Sequence, residues 1–305
     1  MAGPRDVRLR KEELFHALGY KPHSGQWNVH RSNASRRVVA CGARWGKSTV
    51  GIHEAIAELL TPRDEGRGWL VAPTYDLTMR IFRTVVHVMT SRFPHRVLEF
   101  ESREHRIVIS NLGGGTTELR AKSADRPASL LGESLDFLVV DEGAQLKPRV
   151  WDQHLGPRLV DRKGTALILS TPNGGGWFHS MFRRGQNGRD PGFVSWSMPT
   201  WTNPHIPSEA IDAERSRLPE DAFREQYGAE FVGVPSEPCA VCKGPDPAAQ
   251  YVHVLDAGEK ERRCPECHEL VGEDGLTWVR LFEDGEGRCV IIRCDVAPDD
   301  VAMPA

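Results

Sequence analysis

Nine consecutive residues, Cys41-Gly42-Ala43-Arg44-Trp45-Gly46-Lys47-Ser48-Thr49, place glycines, a lysine and two hydroxyls in an order that suits a phosphate. Glycine lets successive backbone N–H groups turn inward onto phosphate oxygens, and a helix opening there adds positive partial charge. In that geometry Lys47 reaches the β- and γ-phosphates of a nucleotide such as ATP, and Ser48 binds Mg²⁺ through its hydroxyl. The usual spacing asks for glycine at position 41. This chain has cysteine there and Gly42 one place late, so the loop is a variant. Cys41 itself reads as a small buried residue.

A second group is Asp136-Phe137-Leu138-Val139-Val140-Asp141-Glu142, an apolar run ending in two carboxylates. A buried parallel strand would deliver both to the sheet edge beside the phosphate loop. There Asp141 would hold the Mg²⁺ shell and Glu142 would orient and deprotonate an attacking water. The third group, Leu167-Ile168-Leu169-Ser170-Thr171-Pro172-Asn173-Gly174, would bring Ser170 and Thr171 to the same edge to contact a γ-phosphate. A fourth is unrelated. Cys239-Ala240-Val241-Cys242 and Cys264-Pro265-Glu266-Cys267 are two C-x-x-C knuckles that together offer four thiolates to a tetrahedral, structural Zn²⁺.

The elements needed to position these groups are legible around them. Residues 36–41 read as a strand, 48–60 as a helix, 69–73 as a strand and 77–90 as a helix. Residues 106–110 and 118–121 suit a hairpin across Gly113-Gly114-Gly115, and 135–140 and 166–170 are continuous apolar strands. Apolar runs alternating with helices imply a mainly parallel sheet covered on both faces. The fold class is therefore α/β, a P-loop NTPase, with a small zinc-ribbon-like C-terminal module.

At about residue 234 the texture turns to proline, glycine, cysteine and acid, with 277–281 and 288–293 suiting a hairpin. Two domains follow, an ATPase over 1–233 and the zinc module over 234–305. The 305 residues carry a net charge of −3, but 234–305 alone hold 15 acidic against 7 basic residues. The first fifty residues hold 10 basic and 3 acidic. That asymmetry is compatible with a polyanion partner for the body and argues against phosphate binding by the module. No apolar run approaches the roughly 20 residues of a membrane span. No secretory signal is visible either, so an intracellular protein is expected.

Taken in order, the motifs CGARWGKS, VAPTY, VVDEGAQ, LSTPNG and FREQYGAEF resemble the ATPase domain of the large terminase subunit of tailed bacteriophages, over 15–233. The resemblance implies a subunit ring on a portal protein, working with a small terminase subunit in the host cytoplasm and moving double-stranded DNA into a procapsid. It implies that Gln26 reads adenine and that Arg44 is the loop arginine. Ser170 and Thr171 match the motif coupling hydrolysis to subdomain movement. Where the family often offers an arginine to its neighbour's ATP, this chain has Leu131-Gly132; Arg126 is the nearby substitute. The family usually continues into a nuclease domain, for which the 72 residues after Gly233 are too few. Other readings are a helicase-like nucleic-acid remodelling ATPase, which lacks its second domain here, and a zinc-dependent adaptor with a decayed ATPase.

Overall fold

A computed structural model of the chain describes residues 9–186, 190, 192–233 and the segments 251–254, 260–263, 278–283 and 289–294. The chain divides into two compact units, Met1–Gly233 and Val234–Ala305. The first opens with two helices of eight residues, α1 (Lys11–Leu18) and α2 (Ser24–Arg31). Then follow β1 (Arg36–Cys41), α3 (Lys47–Leu60), β2 (Glu65–Ala72), α4 (Tyr75–Arg92), β3 (Val97–Glu101), β4 (Arg106–Ser110) and β5 (Thr116–Ser123). After them come β6 (Phe137–Asp141), β7 (Thr165–Ser170), α5 (Trp177–Gln186), β8 (Phe193–Met198), α6 (Ser208–Arg217) and α7 (Glu220–Gln226).

Eight strands form one sheet in the order β3-β4-β5-β2-β6-β7-β1-β8. The strands from β5 to β8 are mutually parallel, while β3, β4 and β5 pair antiparallel. Burial follows that division. β6 is buried at every position, whereas β4 and β5 alternate buried and half-buried residues. Parallel strands are covered on both faces, and the antiparallel end leaves one face to water.

Alternate residues of each central strand feed two cores, as the period of two requires. Val39, Cys41, Val139, Leu167 and Leu169 pack towards α3 and α4. Val38, Ala40, Leu138, Val140, Ala166 and Ile168 pack towards α5 and the 146–159 segment. That segment holds a π-helical turn, Val150–Leu155.

Several elements are longer than their sequence pattern. α4 starts at Tyr75 because the Thr74 side chain accepts from the Leu77 N–H. β2 reaches back to Glu65, where Gly68 leaves room for the Phe137 ring; an added Cβ would stand 2.0 Å from it. β8 has no counterpart in the sequence reading. It pairs parallel with β1 from Arg36↔Phe193 to Cys41↔Met198 and supports the strand that leads into the phosphate loop.

In the second unit, β9 (Tyr251–Val254) pairs antiparallel with β10 (Lys260–Arg263), and β11 (Trp278–Glu283) with β12 (Cys289–Cys294). The second pair is the expected hairpin, each strand starting one residue later and the first ending two residues later. The four candidate zinc ligands, Cys239, Cys242, Cys264 and Cys267, lie outside the described residues. No helix among the described residues is long and apolar enough to cross a membrane.

Candidate nucleotide site at the sheet edge

The C-terminal ends of β1, β6 and β7 are neighbours in the sheet, so whatever follows each strand converges on one edge. β1 delivers the loop 42–46 and the start of α3. β6 delivers Asp141 and Glu142, and β7 delivers Ser170 and Thr171. This is the edge where ligands of open α/β sheets bind.

The loop turns through two left-handed residues, Arg44 at φ 61° and Gly46 at φ 103°. Gly46 is required twice over, by its dihedral and because a Cβ would stand 2.5 Å from the Gln26 amide nitrogen. Gly42 is required by packing. A Cβ there would meet Thr200 Oγ1 at 2.4 Å and the Tyr227 carbonyl at 2.5 Å. The loop is held from behind by the chain after β8. Thr200 Oγ1 donates to the Ala43 carbonyl (2.6 Å), Asn203 Nδ2 to the Arg44 carbonyl (2.9 Å) and the buried Trp45 Nε1 to Thr202 Oγ1 (2.9 Å). The Ala43 N–H donates to the Gln226 carbonyl at 2.6 Å.

Lys47 and Glu142 meet across the edge, Nζ to Oε1 at 3.0 Å, and Thr171 Oγ1 lies 3.4 Å from the same Nζ. Burial pulls the Lys47 ammonium down, but Glu142 and then Asp141 outweigh it, and the net shift is upward. Lys47 is therefore firmly cationic. Ser48 Oγ donates to Asp141 Oδ2 at 2.9 Å. Asp141 is 5% exposed, and its other oxygen, Oδ1, is buried with no hydrogen-bond partner. Burial, then the neighbouring Glu142 charge, raises its pKa. A hydroxyl touching a buried carboxylate that keeps a free oxygen is a donor set suited to Mg²⁺, a hard cation that takes oxygen ligands.

Glu142 itself adopts a left-handed conformation, φ 54° and ψ 42°, unusual for a side chain of its length. Gln145 Nε2 donates to its Oε2 at 3.3 Å. Ser170 is fully buried; its hydroxyl accepts from the Ala144 N–H (3.1 Å) and donates to the Thr171 carbonyl (2.8 Å). It thus knits β7 to the turn after Glu142, while Thr171 faces Lys47. Thr49 and Arg44 are exposed beside the loop.

Two residues sit differently from the rest. Gln26 is buried beneath the loop, its Oε1 accepting from the His23 N–H (3.2 Å) and its Nε2 donating to the Gly46 carbonyl (3.4 Å). One amide hydrogen is left over, since an amide nitrogen has two. Arg126 is not brought to the edge cluster. It is exposed three residues beyond β5, a strand separated from β6 by β2, and makes no ion pair among the described residues. Leu131, in the place where an arginine would be offered to a neighbour, is 54% exposed.

Sequence reasoning missed the bracing residues Thr200, Thr202, Asn203 and Gln226. They lie about 160 positions and more beyond the loop they hold, and only tertiary structure pairs them.

No family model matches the chain. The large terminase subunit of Thermus virus P23-45 is 37% identical, over 74% of this chain and 52% of that protein. That of Escherichia phage T5 is 28% identical over the same shares. The chain thus spans about half the length of the curated relatives it matches. Among solved structures, the ATPase domain of the Thermus phage P74-26 large terminase is 36% identical with a TM-score of 0.66, covering 74% of this chain and all of that one. The HK97 large terminase, at 15% identity and TM-score 0.61, shares the fold. With the phosphate loop, the acidic strand and the Ser-Thr strand on one edge, and a relative matched over its full length, this chain belongs to the large terminase family and contains its ATPase domain.

Proposed function

We propose that residues 1–233 hydrolyse ATP and that hydrolysis drives double-stranded DNA into a viral procapsid. The observation that carries the ATPase reading is one constellation. Ser48 touches Asp141, Asp141 keeps a free buried oxygen, and Lys47 and Glu142 stand 3.0 Å apart beside them. Lys47 holds the β- and γ-phosphates with the loop from Gly42 to Thr49, including Arg44 and Gly46. Ser48 and Asp141 would hold Mg²⁺, which would supply positive charge against the phosphates. When phosphate takes over Lys47, the Glu142 carboxylate is freed to accept the proton of an attacking water. Thr171 faces the γ-phosphate, and the remaining Gln26 amide hydrogen serves the base.

The DNA substrate, the portal and small-subunit partners and the ring come from family membership. So does a site of action in the host cytoplasm, with transient docking at the procapsid portal. Arg126 is proposed as the arginine offered to a neighbouring subunit. Residues 234–305 are proposed as a separate module closed by Zn²⁺ on Cys239, Cys242, Cys264 and Cys267. Nuclease activity is assigned to none of these residues.

Steady-state ATP turnover of the purified protein with and without duplex DNA tests this directly. Turnover that requires Mg²⁺ and rises with duplex supports the motor. Stimulation by single strands or RNA alone would transfer the site to a helicase-like enzyme.

A further inference from the structure

The last two residues of α7 touch both phosphate-side loops at once. The Gln226 carbonyl accepts from the Ala43 N–H of the phosphate loop at 2.6 Å. The adjacent Glu225 side chain, through Oε1, accepts from the Gly174 N–H at 2.8 Å. Gly174 is the last residue of Ser170-Thr171-Pro172-Asn173-Gly174, and it sits at φ 55°, a left-handed turn without steric penalty for glycine. Farther along, Phe231 packs against Phe178, His179 and Phe182 of α5, so this stretch is anchored independently of the bond to Gly174.

Thr171, which faces Lys47, is three residues from Gly174, with Pro172 fixing φ at one of the intervening positions. Three residues span at most about 10 Å, so a displacement at Gly174 is passed to Thr171 with little slack. On the β7 side the loop is held by the Ser170 hydroxyl, which accepts from the Ala144 N–H, and on the far side by the Gly176 carbonyl, which accepts from the Ser180 N–H; the Glu225 bond fixes its middle.

We propose that Glu225 is a positioning residue of the ATPase site: it anchors the loop after β7 and thereby sets the distance of Thr171 from Lys47 and the γ-phosphate. This rests on the ATPase reading of the same edge. What matters is an acceptor oxygen at that reach, not a negative charge. Glu225 touches no nucleotide-facing atom itself; it acts through Gly174.

The test compares Glu225→Ala and Glu225→Gln with the wild-type chain by amide hydrogen exchange over 170–176 and by steady-state ATP turnover. The glutamine carbonyl can still accept from Gly174; alanine cannot. The alanine variant is expected to lose exchange protection at Gly174 and to lower kcat by about tenfold or more with KM little changed, since misplacements near 1 Å cost up to about a hundredfold. The glutamine variant is expected to keep both. An unchanged Gly174 in the alanine variant would overturn the anchor, and equal loss in both variants would overturn the acceptor role. The exchange result stands whether or not the protein turns over ATP, so failure of the ATPase reading shows separately, as a wild-type chain with no turnover. A melting temperature held within a few degrees separates either loss from unfolding.

Discussion

Two buried carboxylates lie along the helix that follows the phosphate loop, and the fold treats them in opposite ways. Glu54, midway along α3, is fully buried and collects Lys11 Nζ at 2.6 Å, Arg37 Nη2 at 2.6 Å and His30 Nδ1 at 2.8 Å. Those partners come from α1, β1 and α2, so one carboxylate fastens three elements to α3. Asp141, at the end of β6 beside the start of α3, takes the Ser48 hydroxyl on Oδ2 and keeps Oδ1 bare. The contrast extends to charge. Burial would raise Glu54, but Arg37 and Lys11, with the His30 bond, hold it well below the ordinary carboxylate range. Burial raises Asp141 and nothing reverses it. A buried polar group with every valence filled is scaffold, whereas one with valence in reserve is poised for a ligand.

The largest effect expected at the poised end is on chemistry. Glu142→Gln removes the proton acceptor while keeping the shape, so turnover falls by about 10²–10⁴. Nucleotide binding and the melting temperature stay near wild type, and a binding assay beside steady-state kinetics checks both. Full activity in this variant would remove Glu142 as the base. At the scaffold end the effect is on stability. Glu54→Ala leaves Arg37 and His30 buried without their anion, and breaking such a cluster costs about 3–5 kcal/mol of unfolding free energy. Denaturant melts measure it; a loss below 1 kcal/mol would make the cluster ornamental.

How much of this was legible in the sequence follows the same division. The strand–loop–helix at 36–60, the acidic end of β6 and the Ser-Thr end of β7 announce themselves through unbroken apolar runs meeting polar residues, a local signal. The Glu54 cluster has no local signal, because Lys11, His30, Arg37 and Glu54 carry no common period. β8 was equally silent. Its Phe193-Val194-Ser195-Trp196-Ser197-Met198 mixes small polar with apolar residues, as a sheet edge allows, and only its pairing with β1 makes it a strand. Gly42 was legible as a residue but not in its purpose. It reads as a phosphate-loop glycine one place late, and the structure shows it admitting Thr200 and the Tyr227 carbonyl to the loop.

That reading of Gly42 gives a smaller, intermediate effect. Gly42→Ala puts a methyl within 3 Å of backbone atoms that cannot rotate away, among them the Thr200 nitrogen at 2.7 Å. Overpacking of this kind costs about 1–3 kcal/mol. Because the clash lies behind the loop, nucleotide affinity falls together with stability, as titration calorimetry beside thermal melts will show. Affinity held at the wild-type value would separate the brace from the binding site.

The smallest effect distinguishes the two carboxylates most sharply, because their pH dependences have opposite sign. Asp141 has a raised pKa in the folded, metal-free protein, so its contribution to stability is fully present below the unfolded value and is lost as pH rises through the folded one. At pH 7 it is a net cost, and Asp141→Asn is expected to melt higher than wild type in chelator, by about 1 kcal/mol, though the variant cannot support Mg²⁺-dependent turnover. That advantage shrinks as the solution is acidified and wild-type Asp141 takes up its proton. Glu54 has a depressed pKa, so its contribution is present above the unfolded value near 4.5 and is lost only as pH falls below it. The Glu54 part of the Glu54→Ala deficit therefore narrows only beneath about pH 4.5. His30 is lowered chiefly by burial and held up by its bond to Glu54, so it falls further in Glu54→Ala and widens that deficit as pH drops through 6.5, whereas Asp141→Asn leaves it untouched and the difference from wild type removes its slope. An Asp141→Asn advantage that grew on acidification would mean the aspartate is held charged by a partner, and the reserve valence assigned to Mg²⁺ would be gone.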